Sequence, residues 1–572
     1  MFSGKLDRKI CDKKLSLNVQ GNSGAATNGG RGTFHSKSGF SVANVSHSQT
    51  KREDYLAKLD LSQAYFHVPI KESHRRYLCF SYAGELFQLT SLPFGLSSAP
   101  LAFSRLTNWV ASVLRSKGIR VVVYLDDFLF AHQDPLVLED QVHSAVRFLQ
   151  SLGWAVNLEK SITKPTNRIE FLGVMWDTIV NQKVLPEAKI VQLMSDLQRI
   201  LKNPCWNWKS ATSLIGKLGF ASSVTPLGRL YTRNLQRAAK VLKEETPFKK
   251  LVMPAPARAD CQWWIQNVRK PGKIFMPDPT VFVTTDASDA GWGVQLGQQH
   301  RAGIWTRDQE KWHINRKELF TVFMALSKFQ TDVQGQSLML QSDNKTVVAY
   351  LRNQGGTRSA ILLEVTRELL LLADRLDVTI QAFFIPGRYN TVADRLSRFM
   401  ALPDWHLSES ITSLIFRKWG VPQIDLFATH QSRVVPCYVT IDARDSEAKF
   451  INAFSQEWHF NLAWVFPPPP LIPKVLQHLN RASGVFLLVV PRWEKAFWRG
   501  PLKHRALEAP FEIRDLNRHL IDLSSNRCPE KVEELHLEVW KIRVRLAELN
   551  MEDLWFSLET VGLVGKEEWG KS

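Results

Sequence analysis

Residues 118–134 read GIRVVVYLDDFLFAHQD, and the parsing of this stretch decides the fold. The β-branched run Val121–Val123 gives way to the adjacent acids Asp126 and Asp127, and a second apolar run, Phe128–Ala131, follows at once. Two short apolar runs this close together predict a β-hairpin with carboxylates at its tip. The first strand must be largely buried. Acids directly after it are forced to the turn, where desolvation and mutual repulsion oppose ionising both. A divalent cation resolves that conflict. Upstream, YLAKLDLSQAYFHVPI (residues 55–70) puts a third acid, Asp60, at the end of another short strand. Strand-end carboxylates from separate segments can share two metal ions about 3.5–4 Å apart, the arrangement that stabilises attacking and leaving oxygens in phosphoryl transfer. Taken singly, Asp126–Asp127 reads as an ordinary turn dipeptide and Asp60 as a helix N-cap.

The order of the segments changes that weighting. Between the acids lies LTSLPFGLSSAPLAFSRL (residues 89–106), and beyond them LGWAVNLEKS (152–161) and IEFLGVMWD (169–177). This succession resembles a reverse transcriptase palm, with five motifs in the family's order over about 120 residues. The resemblance implies that Asp60 and Asp126 hold two metal ions with Asp127 in support. It also makes Tyr65 a steric gate against a ribose 2′-hydroxyl, and Phe94 and Gly95 part of the template and nucleotide motif. Lys160 is left either to protonate leaving pyrophosphate or to solvate a loop. FLGVMWD stands at the primer grip. The Pro-Phe-Gly form around Phe94 looks most like Gypsy-type and DIRS-type (tyrosine-recombinase) retrotransposons.

Composition agrees with a nucleic-acid partner. The chain has 572 residues, is 44% hydrophobic and 22% charged, and carries a formal net charge of +18. That length gives a soft prior of about three or four domains, and the composition excludes a disordered polymer or a disulfide-stapled miniature. A cationic excess of this size favours polyanions. The six cysteines show no zinc-type spacing, no apolar run approaches a membrane span, and no secretory signal is apparent. The expectation is an intracellular protein of the cytoplasm or nucleus, or both, with no membrane partner.

A second set of acids follows. Asp286 lies on the alternating strand FVTTDASDAGWGVQL (282–296), and Glu318 on the helical stretch HINRKELFTVFMAL (313–326). Asp343 closes the strand opening SLMLQSDNKTVVAYL (337–351), and Asp394 begins the helix of NTVADRLSRF (390–399). Four carboxylates converging from separate elements can bind two Mg²⁺ ions that activate water. The order Asp, Glu, Asp, Asp, with TDAS, SDN and ADRLSR, resembles ribonuclease H. That implies cleavage of RNA in an RNA/DNA hybrid, read by shape and 2′-hydroxyls. The loop FIPGRYN (384–390) has no His where many members of that family place one.

The expected organisation is a multidomain α/β and α+β chain. Residues 1–54 read as a disordered or truncated segment, 55–184 as palm, and 185–250 as a helical thumb. In the thumb Lys217, Arg229, Arg233 and Arg237 would track the nucleic-acid backbone. Residues 251–277 read as a Pro-bearing linker and 278–399 as ribonuclease H-like. Residues 405–500 resemble the methyltransferase-like α/β segment of DIRS-type elements, and 501–572 read as a helical tail. Methyl transfer is not expected. Phe466 precedes Pro467 and Pro468 where a polar acceptor for an adenine amine belongs, and no Gly-rich loop follows IDLFA to approach S-adenosylmethionine.

The implied activity is that of an RNA-directed DNA polymerase with ribonuclease H, using two Mg²⁺ per active site. Its partners would be an RNA template, a DNA primer, RNA/DNA hybrid and deoxynucleoside triphosphates. The alternative is a nucleic-acid-binding remnant that does not polymerise, since fingers motifs are not found ahead of Asp60.

Overall fold

The structure is a computed structural model that describes residues 50–544 apart from 244–248, 401, 494–495 and 530–531. Most of the segment read as residues 1–54, and the tail beyond 544, lie outside the described residues. Two units are present. One holds 50–196, 223–226 and 266–275; the other holds 197–222, 227–265 and 276–544.

In the first unit β1 (Tyr55–Asp60), α1 (Ala99–Ser116), β2 (Val121–Tyr124), β3 (Asp127–His132), α2 (Pro135–Ser151) and β4 (Ile162–Thr166) succeed one another. The strands form an antiparallel sheet in the order β2-β3-β1-β4. Strand alternation sends Ala57, Leu59, Val121, Val123, Phe128 and Phe130 into a core shared with Phe103 and Val110 of α1 and Leu138 and Val142 of α2. Asp134 starts α2: its carboxylate accepts the amides of Leu136 and Val137, and Pro135 supplies a preset first turn. FLGVMWD folds as a tight hairpin with Phe171 opposite Val174, and both Leu172 and Gly173 have positive φ.

The second unit opens with the cation-bearing helices Trp208–Ala221 and Arg233–Lys243. The stretch expected to be a linker instead carries the helix Ala255–Asn267, in which Cys261 and Trp264 are fully buried. Two of the stretch's four prolines, 254 and 256, flank the start of that helix, where the missing N–H interrupts nothing.

A five-stranded sheet follows, built from β5 (Val281–Ala287), β6 (Gly291–Leu296), β7 (Gln299–Ile304), β8 (Ser337–Ser342) and β9 (Thr379–Phe384) in the order β7-β6-β5-β8-β9. The β5-β8-β9 pairings are parallel and the other two antiparallel. Between these strands run α3 (Ile314–Lys328) and α4 (Ala360–Arg375), which cover the face carrying Val283, Leu338 and Leu340. After β9 comes α5 (Thr391–Ser397).

The helix α5 sits against β6 at Gly293. A Cβ there would lie 2.4 Å from the Ala393 carbonyl oxygen and 2.7 Å from the Ser397 nitrogen, both backbone atoms. Only glycine permits that approach. Gly293→Ala is expected to cost about 1–3 kcal/mol by overpacking, read as a lowered melting temperature; an unchanged melt would mean that α5 yields freely.

The C-terminal residues build another five-stranded sheet from β10 (Ile424–Asp425), β11 (His459–Val465), β12 (Ser483–Pro491), β13 (Phe511–Ile513) and β14 (Leu537–Val544), in the order β10-β11-β12-β14-β13. The first three strands are parallel, and β14 is antiparallel to β12. This α/β module therefore runs through residue 544, past the expected boundary at 500. Within the described residues the expected helical tail contributes two of its strands. Among the described residues no helix is long and apolar enough to cross a membrane.

Candidate active sites

The first cluster is set by strand register. Asp60, the last residue of β1, lies directly opposite Asp127, the first of β3, and Tyr124 pairs with Asp127 across the β2–β3 turn. Leu125 occupies that turn with φ 55°, a conformation uncommon for a branched side chain and one that presents Asp126 at the tip. The Leu61 amide donates to the Asp126 carbonyl at 3.2 Å, tying the end of β1 to the turn.

Burial pushes the Asp60 carboxyl up and the Asp126 charge adds to this, while Lys160 and Lys58 pull it down. Burial, then the charges of Asp126 and Asp60, raises Asp127 to about 6. The Asp126 charge thus bears on both Asp60 and Asp127. Lys160 reaches Asp60 because its segment is stitched to β1. The Asn157 amide donates to the Asp60 carbonyl at 2.8 Å, and the Asp60 amide donates to Ser161 Oγ at 3.0 Å.

Tyr65 joins the same cluster. Its ring lies 5.0 Å from that of Phe94 and 5.3 Å, edge-on, from that of Phe103. Its hydroxyl is raised by burial and then by the Asp126 charge. Phe94 is 62% exposed. Gly95 follows with φ +90°, a turn geometry that a side chain would strain.

In the second cluster Asp286 on β5, Glu318 on α3 and Asp343 just past β8 place carboxylate oxygens all within 4.8 Å of one another. Burial is the first cause of every shift here. It lifts Asp286 to about 7, with Asp343 adding to the effect and a hydrogen bond from Ser397 opposing it. It lifts Glu318 to about 9, reinforced by the charges of Asp286 and Asp343. Asp343 is also raised.

Asp394, near the start of α5, acts electrostatically on all three and accepts Arg398 Nε at 2.8 Å. Glu318 Oε2 is buried with no hydrogen-bond partner. An uncompensated carboxylate beside two others has the chemistry of a divalent-cation cradle, so these residues fit the metal that the sequence implied.

Two residues that sequence reasoning assigned no role hold this cluster. Ser397 Oγ donates to Asp286 Oδ2 at 2.7 Å. Asn390 donates to the Thr285 carbonyl at 3.1 Å and also bonds Asp343. Ser397 lies three residues after Asp394 on the same helical face, a spacing that could have marked it; Asn390 has no such signal. Gly387 approaches so closely that a Cβ would stand 2.7 Å from Asp343 Oδ2.

The thumb cations divide. Lys217 is exposed, and Arg229 and Arg237 are half-buried. Arg233 is half-buried and has protein partners. Its guanidinium donates to the Asn353 and Gln354 carbonyls and to Gln236, so protein acceptors at the end of the helix Lys345–Arg352 already engage it.

Comparison with known proteins finds one family match over each of the two segments that carry these acids. The family described as reverse transcriptase (RNA-dependent DNA polymerase) matches residues 9–176, and the RNase H-like domain found in reverse transcriptase matches residues 276–370. The first match holds Asp60, Tyr65, Asp126, Asp127 and Lys160; the second holds Asp286, Glu318 and Asp343 but stops short of Asp394.

Protein P of duck hepatitis B virus (strain United States/DHBV-16) is 29% identical over 351 residues, covering 61% of this chain and 38% of that protein. The putative enzymatic polyprotein of Cassava vein mosaic virus is 22% identical over 367 residues, covering 60% of this chain and 53% of that polyprotein. The chain therefore spans about two fifths to one half of the length of these relatives. A foamy viral protease-reverse transcriptase solved in complex with RNA/DNA hybrid is 17% identical, with a TM-score of 0.38, covering 60% of this chain and 45% of that one. The chain carries a reverse transcriptase domain followed by the RNase H-like domain found in reverse transcriptases, and in these it is similar to viral and retroelement polyproteins.

Proposed function

We propose that this chain is an RNA-directed DNA polymerase with ribonuclease H activity, working at two separate carboxylate centres. The observation that carries the reading is the pairing of Asp60 with Asp127 beside the Asp126 turn, with Tyr65 near enough for the Asp126 charge to act on its hydroxyl. Asp60 and Asp126, supported by Asp127, would hold Mg²⁺ at the first centre. Asp286, Glu318, Asp343 and Asp394 would hold it at the second. Bound there, the ions supply Lewis-acid stabilisation of the charge that develops on the reacting phosphate.

The chain's own residues do the rest. At the first centre the Tyr65 ring packs beside Phe94 and edge-on to buried Phe103, contacts that oppose its swinging aside for a 2′-hydroxyl. Deoxynucleoside triphosphates are selected on that account, and the primer 3′-hydroxyl attacks the α-phosphate with loss of pyrophosphate. At the second centre Asp286 and Glu318 are buried while Asp343 and Asp394 are half-buried, and Ser397 and Asn390 orient two of the acids toward a hydrolytic water.

The test is primer extension on an RNA template with Mg²⁺, alongside release of RNA from a labelled hybrid. Normal hybrid binding with neither extension nor cleavage overturns the reading. Cleavage without extension would leave the non-polymerising remnant instead. Tyr65→Ala is expected to raise ribonucleotide incorporation relative to deoxynucleotide by roughly 10–100-fold, the scale of steric discrimination in a pocket. An unchanged ratio in single-nucleotide incorporation assays removes Tyr65 from the gate.

The sequence blocks after residue 405 further suggest a DIRS-type element, which a tyrosine recombinase frame beside the source gene would support. In that reading the C-terminal α/β module is methyltransferase-like in descent only, because Phe466 stands where the amine acceptor belongs.

A further inference from the structure

The C-terminal module occupies the sheet face that α3 and α4 leave open. Phe282, Met339 and Phe383 point to that face and meet Phe497, whose ring lies 5.1 Å from that of Phe383. The four-proline run takes part in the contact. Buried Gln341 on β8, two residues before Asp343, donates to the Pro470 carbonyl at 2.7 Å. The loop between β9 and α5 follows the same course, with Ile385 and Tyr389 fully buried in a cluster otherwise made by module residues such as Leu407, Trp464 and Leu520.

The firmest tie is ionic. Arg395, the neighbour of Asp394 on α5, pairs with Asp522, a module residue with no exposed surface, and also donates to Ser524 Oγ at 3.0 Å. Asp522 is itself held in place. Its Oδ1 accepts the Asp404 amide at 3.0 Å, the Ser524 amide at 3.1 Å and the Ser524 hydroxyl at 2.7 Å.

A seven-residue helix such as α5 has little stability of its own. On one side it rests on Gly293. From it come Asp394 and the Ser397 hydroxyl that bonds Asp286. We propose that the C-terminal module is the scaffold of the ribonuclease H centre, with Asp522 as a positioning residue that fixes α5, and so Asp394 and Ser397, through Arg395. The module touches none of the reacting atoms. It determines whether the fourth acid faces the other three. The inference rests on the second centre proposed above, and it assigns to residues 405–544 a present role that methyl transfer does not.

The test uses the full chain. Mn²⁺ is titrated calorimetrically in chains that also carry Asp60→Asn and Asp126→Asn, so that the ion reports the second centre alone. Asp522→Asn is expected to weaken Mn²⁺ binding about 10-fold and, in the otherwise native chain, to lower kcat for hybrid cleavage about 10–100-fold, the range for residues behind a metal's direct ligands. KM for the hybrid should stay within about twofold, and raised Mn²⁺ should restore much of the rate, which general loosening of the fold would not allow. Arg395→Lys keeps the charge but loses the fork that reaches both Asp522 and Ser524; it carries the same test if Asp522→Asn does not fold. Mn²⁺ affinity and kcat both within about twofold of the parent, in either folded variant, overturn the proposal. A parent chain that cuts no hybrid would sink the ribonuclease H reading, while the Mn²⁺ titration would still decide the clamp.

Discussion

Glu318→Gln is expected to abolish hybrid cleavage and, in the absence of metal at pH 8, to make the protein more stable. Both effects come from one buried carboxyl. Glu318 is 5% exposed, its Oε2 has no partner, and burial with repulsion from Asp286 and Asp343 raises it from an ordinary 4.5 to about 9. The folded chain therefore keeps a proton that the unfolded chain gives up near pH 4.5. That contribution is complete below the unfolded value and is lost as pH rises through about 9. Asp286, raised from 3.8 to about 7, acts in the same direction.

Between pH 5 and pH 8 the metal-free protein should accordingly lose on the order of a few kcal/mol. Mg²⁺ should return much of this by replacing the protons. Glutamine at 318 leaves no proton for the unfolded chain to release, so the metal-free melting temperature at pH 8 should rise by several degrees. Cleavage should fall by roughly 10³-fold or more, the scale for an essential catalytic group. Melts with and without Mg²⁺ at the two pH values, with hybrid cleavage on the same samples, decide it. A metal-free melting temperature that climbs from pH 5 to pH 8 in the parent would show that the acids are not crowded as described.

What the sequence made legible were groups whose environment is local. The position of Asp60, Asp126 and Asp343 at strand ends follows from apolar runs that stop beside them, and that of Glu318 from helical spacing. What remained hidden depended on distant partners or on ambiguous periodicity. Asp522 lies 127 residues from Arg395, and neither has a neighbour pattern that announces the pair. The stretch 251–277 reads as a linker on its prolines, whereas two of them flank a helix start that leads to the buried Trp264. The run LEVWKIRV, residues 537–544, intersperses Glu538, Lys541 and Arg543 among apolar residues, with alternation broken at Val539–Trp540. It sits within a mixed-charge segment that also suits a helix, and pairing with β12 settles it as β14. Glu538 of that strand is buried against Arg499, so its charge was no sign of a solvent face.

The other large effect concerns the first centre. Asp126→Asn should eliminate primer extension, by roughly 10³-fold or more, while hybrid cleavage stays within about twofold. The substitution preserves the size and backbone preferences of a turn residue, so the β2–β3 hairpin, with Leu125 at φ 55°, should survive it. It removes the charge that raises Asp60, Asp127 and the Tyr65 hydroxyl. Asp127, no longer facing that charge, should titrate below its present value of about 6, and the loss of extension should then persist from pH 6 to pH 9. A defect that recovered at high pH would mean that Asp126 acts only by tuning Asp127 and is not itself a ligand. The reciprocal change, Asp343→Asn, should spare extension and remove cleavage, because its partners are Asp286, Glu318 and Asp394 and none of the palm acids. If either single substitution, in a chain that melts like the parent, removed both activities, the two carboxylate clusters could not be independent centres. The chemistry would then have to be reassigned to one of them.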